Sequence, residues 1–220
     1  NAPSFRSGYF PVAQRVVIVD YDAGNLRSVQ RACGAVGIEA VISADPEVTL
    51  NADKVIFPGV GSANSAVDTL RERGLDESLR AFYRRGNPML GICLGTQIVL
   101  EFTEEGNRDC LGIVPGVCQR FDFADRTLKV PHIGWNEVDI VQPHPLLKNV
   151  RSGDEFYFVH SYYAVPTRLQ AVYGVTDYGG QFCSMLGQEN LFATQFHLEK
   201  SGRMGLLILA EFDRWDGESC

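Results

Sequence analysis

Ten residues constrain this chain more than any others: Pro88-Met89-Leu90-Gly91-Ile92-Cys93-Leu94-Gly95-Thr96-Gln97. The apolar run Met89 to Ile92 predicts a short buried strand, and a helix is expected from about Gly95 to Phe102. Between them Cys93 occupies a one-residue corner, with Gly91 and Gly95 two positions away on either side. That spacing is the G-x-nucleophile-x-G elbow, with sulfur in place of a serine hydroxyl. Glycine suits such a corner because neighbouring backbones come close and leave no room for Cβ atoms. The corner would lift the thiol above a sheet and set it at a helix N-terminus, where the dipole favours thiolate. Taken alone, the same residues also fit a buried structural cysteine at an ordinary strand-to-helix joint.

A second segment decides between these readings. Phe192-Ala193-Thr194-Gln195-Phe196-His197-Leu198-Glu199-Lys200 predicts an apolar strand that ends at His197. In extended chain alternate side chains share a face, so His197 and Glu199 are expected as neighbours. A carboxylate on one ring nitrogen fixes the tautomer of a histidine base and leaves the other nitrogen for a nucleophile. Cys93, His197 and Glu199 therefore read as a catalytic triad.

The 220 residues suffice for a sizeable core, and one α/β domain is expected over residues 15–220. Residues 1–14 show no continuous pattern and no apolar leader segment, and are expected to form a flexible tail. A net charge of −7 argues against a broad surface for nucleic acid or anionic membrane. No apolar run approaches the roughly 20 residues of a membrane helix. The cysteines at 33, 93, 110, 118, 183 and 220 form no C-x-x-C pairs and adjoin no histidine cluster, which speaks against zinc. They read as reduced thiols of a cytoplasmic protein, all but Cys93 structural.

Strands are expected at Val16 to Val19, Ala40 to Ser43 and Lys54 to Phe57, alternating with helices that close at Gly37, Gly74 and Gly86. This rhythm indicates a parallel, doubly wound sheet. After Phe102 the pattern turns to strands: Ile113 to Phe121, Leu128 to Ile140, Glu155 to Ala164, Gln170 to Val175 and Gln181 to Leu186, with a hairpin loop at Tyr178-Gly179-Gly180. These mix antiparallel pairing into the sheet, before a last helix from about Ser201 to Trp215. An oxyanion formed at Cys93 would need donors. The Leu94 N–H is one, and the loop Pro58-Gly59-Val60-Gly61 is the expected source of the other. Gln97, one helical turn beyond Cys93, is placed either toward the site or in solvent. His144 reads as a loop residue and His160 as a half-buried strand residue.

From Val16 onward the chain resembles the class I, triad-type glutamine amidotransferases. The likeness rests on Asp20-Tyr21-Asp22-Ala23-Gly24-Asn25-Leu26, on Pro58 to Gly61, on Gly91 to Gly95, and on Gln195 to Lys200. Pro131-His132-Ile133-Gly134-Trp135-Asn136 and Phe158-Val159-His160-Ser161-Tyr162 point to the branch that supplies ammonia within imidazole glycerol phosphate synthase. The resemblance implies a flavodoxin-like, mainly parallel open sheet with flanking helices. It implies glutamine hydrolysis through a Cys93 thioester, with Gly59, Gly61, Leu94, Gln97, Ser161 and Tyr162 around the substrate and no cofactor. It also implies a heterodimer with a (β/α)8-barrel cyclase, faced by the segments holding Asn25, His132 and Trp135. Leu198 stands where the family usually has proline, and Thr96 where methionine is common. Other open readings are a glutaminase serving anthranilate or guanylate synthase, a stand-alone thiol peptidase or γ-glutamyl hydrolase, and an inactive binding module.

Overall fold

The computed structural model describes residues 15–125 and 127–218. The tail expected at 1–14 therefore lies outside the described residues, as does Cys220. The first half alternates as the apolar runs require: β1 (Val16–Val19), α1 (Leu26–Ala35), β2 (Ala40–Ser43), α2 (Pro46–Leu50), β3 (Lys54–Gly59), α3 (Ala63–Glu72), α4 (Leu75–Arg84), β4 (Met89–Cys93) and α5 (Leu94–Ile98). The second half contributes β5 (Phe102–Thr103), β6 (Arg108–Asp109), β7 (Gly116–Arg120), β8 (His132–Ile140), β9 (Asp154–His160), β10 (Tyr162–Pro166), β11 (Val172–Asp177), β12 (Gln181–Gln188), β13 (Leu191–Thr194) and α6 (Gly202–Arg214).

Strands β2, β1, β3, β4 and β13 lie side by side, all parallel. Beyond β13 the sheet continues mostly antiparallel through β12, β10 and β7, and a side arm runs from β12 through β11 and β8 to β9. Alternation along the central strands divides the core. Val17, Val19, Val55 and Phe57 pack with the buried residues of α3 and α4. Val16, Ile18, Ile56 and Leu90 pack on the other face with Val29 and Cys33 of α1 and Ile208, Leu209 and Phe212 of α6. A sheet covered on both faces explains why these strands read as unbroken apolar runs. Buried Lys54 is the exception, and its Nζ donates to the carbonyls of Phe212, Asp213 and Trp215 at 2.6–2.9 Å. It thereby supplies a donor to the carbonyls where α6 ends.

Several expected boundaries move. The helix after Cys93 stops at Ile98 rather than Phe102. The carbonyls of Ile98, Val99 and Leu100 are taken by the amides of Leu111, Ile113, Val114 and Gly112, so the helical ladder has no acceptors left to extend it. The expected strand from Glu155 to Ala164 is two strands that break at Ser161. Its first part pairs with β8 and its second with β7, and the change of partner bends the chain there. The strand expected from Leu128 starts only at His132, after Pro131, which has no N–H to give a ladder. The short helix α2 carries Asp45 as its N-cap and Pro46 in its first turn, a start signal passed over in the sequence.

The elbow depends on one close approach. A Cβ on Gly95 would lie 1.9 Å from the Phe57 carbonyl oxygen, so α5 can sit against β3 only with glycine there. Gly95→Ala should therefore lower unfolding stability by about 2 kcal/mol or more, the scale of overpacking a rigid core. Urea denaturation of the variant measures this, and unchanged stability would refute the packing argument.

Candidate active site

Cys93 closes β4 with φ 53° and ψ −104°, a left-sided conformation that costs a non-glycine residue on the order of 1–3 kcal/mol. Strands β3 and β13 hold it from either side through the Gly59↔Cys93 and Thr194↔Ile92 registers. The backbone corner leaves the side chain beside a cavity of about 270 Å3, lined by Val60, Gly61, Cys93, Leu94, Gln97, Glu105, Pro131, Val159, His160, Ser161, Tyr162 and His197. The Cys93 Sγ is 3.9 Å from both the Val159 carbonyl and the Gln195 Nε2. Of the residues expected around a substrate, Gly61, Leu94, Gln97, Ser161 and Tyr162 line this cavity together with Cys93 and His197.

His197 follows β13 and is buried. Its Nδ1 is 2.7 Å from Glu199 Oε1, and since a carboxylate only accepts, the Nδ1 carries a proton. The pair does not arise from the extended backbone expected there. Leu198–Lys200 is a short 3-10 turn that opens at His197 and brings the carboxylate back under the ring. Leu198, in place of proline, is fully buried, and packing fixes the segment without a ring. Ser201 adds a brace: its hydroxyl donates to the His197 carbonyl and accepts from the Tyr157 amide. The Nε2 of His197 is buried and makes no hydrogen bond among the described residues. Burial is the largest single influence and opposes a charge on this ring, but Cys93 and Glu199 together outweigh it, and the pKa is pushed up to about 10.

Other expected residues take the following places in the structure. Gly59 does not line the cavity. A Cβ there would fall 2.0 Å from the Tyr21 hydroxyl and 2.9 Å from the Leu94 Cβ, so this glycine serves packing. Tyr21 is buried beneath the loop, and its hydroxyl donates to the Pro58 carbonyl at 2.7 Å. Gly61, with φ 100° and open space around it, is the end of that loop free to turn. Asn25, expected at a partner surface, donates through Nδ2 to the Glu199 Oε1. His132, expected there too, is buried at 3% exposure because its ring stacks on Phe158 and Tyr178. His160 is fully enclosed rather than half-buried, and His144 is buried as the cap of the 3-10 turn Pro145–Leu147. Trp135 is 54% exposed on strand β8, with Ile133 exposed at 59% beside it on the same face. Thr96 is buried and donates to the Thr194 carbonyl, tying α5 to β13.

Sequence reasoning missed Glu105. It lies in the turn between β5 and β6, where no motif marks it, and reaches the cavity across the start of α3. Its Oε2 accepts from the Ala63 amide at 2.7 Å.

The charge arrangement makes a checkable forecast. Glu199 favours the protonated ring, so Glu199→Gln should lower the His197 midpoint from about pH 10. Nitrogen NMR titration of His197 follows the effect. An unmoved midpoint would show that Glu199 has no electrostatic part.

Comparison with known proteins agrees with this arrangement. The family described as "Glutamine amidotransferase class-I" matches residues 17–212. The "Imidazole glycerol phosphate synthase subunit HisH" of Desulfovibrio desulfuricans is 49% identical over 202 residues, covering 90% of this chain and 93% of that protein. Its counterpart from Nitratidesulfovibrio vulgaris strain Hildenborough is 47% identical over 209 residues, covering 93% and 98%. Among solved structures, PurLQS from Thermotoga maritima superposes with a TM-score of 0.70 at 17% identity, covering 91% of this chain and 98% of that one. A crystal structure described as a glutamine amidotransferase gives 0.68 at 20%, covering 90% and 99%. At such low identity these two structures speak for the fold alone. By its matched residues and its identity to the HisH subunits, this chain belongs to the class-I glutamine amidotransferases.

Proposed function

We propose that the chain is the glutaminase subunit of imidazole glycerol phosphate synthase, hydrolysing glutamine to glutamate and ammonia for histidine biosynthesis. The observation that carries this reading is the strained Cys93 sharing one small cavity with His197, which is itself bonded to Glu199. At about 270 Å3 the cavity is near the lower bound of ligand pockets and suits a single amino acid.

The Cys93 thiolate attacks the side-chain amide carbon, and the resulting oxyanion takes the Leu94 N–H and an N–H from the 58–61 loop. As the tetrahedral species collapses, His197 gives its proton to the leaving nitrogen and ammonia departs. The neutral ring then takes a proton from water, whose oxygen attacks the thioester carbon. Glutamate leaves, and thiolate and imidazolium are restored. Glu199 keeps the ring in one tautomer throughout, and Asn25 steadies Glu199. The carboxylate of Glu105 offers a counter-charge for the α-ammonium of the substrate, while Ser161 and Tyr162 close the other side.

The ammonia would go to a (β/α)8-barrel cyclase bound as the second half of a heterodimer. Exposed Trp135 and Ile133 on β8 support a docking face there, because β8 pairs with β9, whose Val159 lines the cavity. Truncating an aromatic anchor costs about 2 kcal/mol or more. Trp135→Ala should thus weaken the complex roughly thirtyfold or more with little change in melting temperature. Normal binding by a destabilised variant would make Trp135 a core residue instead. No described helix is long and apolar enough to cross a membrane, and the five described cysteines are unpaired thiols, which supports a cytoplasmic setting.

Hydrolysis without an acceptor wastes glutamine, so turnover should depend on the cyclase. The Gly61 end of the loop can reorient cheaply, and loss of one oxyanion donor costs about 3 kcal/mol, or about 100-fold in rate. Glutamate release by the chain alone, with cyclase, and with cyclase holding its nucleotide should rise in that order. Equal rates in all three would favour a stand-alone hydrolase.

A further inference from the structure

Two buried histidines take no part in the chemistry above, yet one of them, His160, lines the cavity and meets the other. His132 Nδ1 is 3.0 Å from His160 Nε2, and His160 Nδ1 is 2.8 Å from the Tyr162 carbonyl. At the far end Asn136 Nδ2 is 3.3 Å from His132 Nε2. Phe121, Phe158, Tyr178 and Phe182 pack around the two rings and exclude water.

The direction of every bond in this relay is determined. A carbonyl only accepts, so His160 carries its proton on Nδ1, and its Nε2 must accept from His132 Nδ1. His132 Nε2 is then an acceptor, and it meets a donor. The Asn136 amide is independently oriented, since Nδ2 also donates to the Asp177 carbonyl and Oδ1 accepts from the Glu137 amide. Both ends therefore demand the same two tautomers. Burial holds both rings neutral, with pKa values lowered to about 4 for His132 and about 3 for His160.

The same Tyr162 carbonyl accepts a second bond, from Gln97 Nε2 at 3.0 Å, and that nitrogen also faces Gln195 Oε1 at 3.4 Å. With two acceptors on its NH2 group, the Gln97 amide cannot turn over without setting oxygen against oxygen. Its Oε1 has no donor among the described residues and belongs to a side chain that lines the cavity. The Glu105 carboxylate, also an acceptor, lines the same cavity.

We infer that His132 and His160 are positioning residues for substrate selection: through the Tyr162 carbonyl they hold Gln97 with its Oε1 toward the cavity, as an acceptor for the α-ammonium of glutamine. The inference rests on the glutaminase reading and specifies which part of the substrate is recognised. It predicts a preference for glutamine over glutaramate, the same amide without the α-amino group.

The test compares kcat and KM for the two substrates in the complex with cyclase. His160→Phe should raise KM for glutamine about tenfold, leave kcat within about threefold, and leave glutaramate kcat/KM nearly unchanged, so that the preference narrows about tenfold. His160→Asn should recover most of the preference, because its Nδ2 can donate where the ring Nδ1 did. His132→Phe should move the preference in the same direction as His160→Phe. Equal losses on both substrates, or no recovery with asparagine, would overturn the inference. Should a variant fail to fold, nitrogen NMR of the wild-type protein still decides: both rings must be neutral Nδ1–H tautomers, and an Nε2–H form of either would refute the relay. A wild-type complex that releases no glutamate would instead defeat the parent reading, which these NMR spectra do not touch.

Discussion

Everything at this site follows from forcing one cysteine into a backbone conformation it would not choose. Cys93 sits at φ 53° because β4 must end and α5 begin within a single residue, with α5 drawn against the Phe57 carbonyl. The strain is tolerated because β4 is central, flanked by β3 and β13 and buried on both faces, so no local relaxation can release it without breaking ladder bonds. The reward is positional. The thiol leaves the sheet at its carboxyl edge, where ligands bind in open α/β sheets and where the first free amides of α5 lie.

The other half of the site comes from the antiparallel part of the chain, and the sheet topology brings it in. Strand β13 returns parallel to β4 and stops just short of His197, while β9 and β10 exchange partners at Ser161. The 3-10 turn then converts an i, i+2 sequence spacing into a 2.7 Å hydrogen bond between base and carboxylate. Two polar systems flank the cysteine and meet at Gln195, which lies 3.4 Å from Gln97 and 3.9 Å from the Cys93 Sγ. One is the group of Cys93, His197 and Glu199, and the other is the neutral relay from Asn136 to Gln97. Burial raises the cost of charge on the histidines of both, and it is overcome only at His197, where Cys93 and Glu199 face the ring.

Much of this was legible in the sequence because the signals are local. The elbow needs glycines at fixed offsets from Cys93, and buried parallel strands need unbroken apolar runs, so β1, β3, β4 and the triad segments announce themselves. What escaped depends on contacts between distant residues. Gly59 looks like a ligand-facing loop glycine until Tyr21 is found beneath it. His132 shares a segment with exposed Trp135, yet its neighbours on β9 and at Tyr178 turn it inward. Glu105 carries no motif, and only the packing of the β5–β6 turn against α3 delivers it to the cavity. The end of α5 at Ile98 was likewise hidden, since the amides that claim its carbonyls come from residues 111–114.

The central claim is that Cys93, and no other thiol, is the nucleophile for glutamine. The most direct measurement is covalent capture with the diazoketone analogue of glutamine in the complex with cyclase, read by peptide mass spectrometry. The account predicts one equivalent of label on the peptide containing Cys93, loss of glutaminase activity in step with labelling, and no label on Cys93→Ala. Label on Cys33, Cys110, Cys118 or Cys183 with Cys93 unmodified, or full activity in Cys93→Ala, would contradict it.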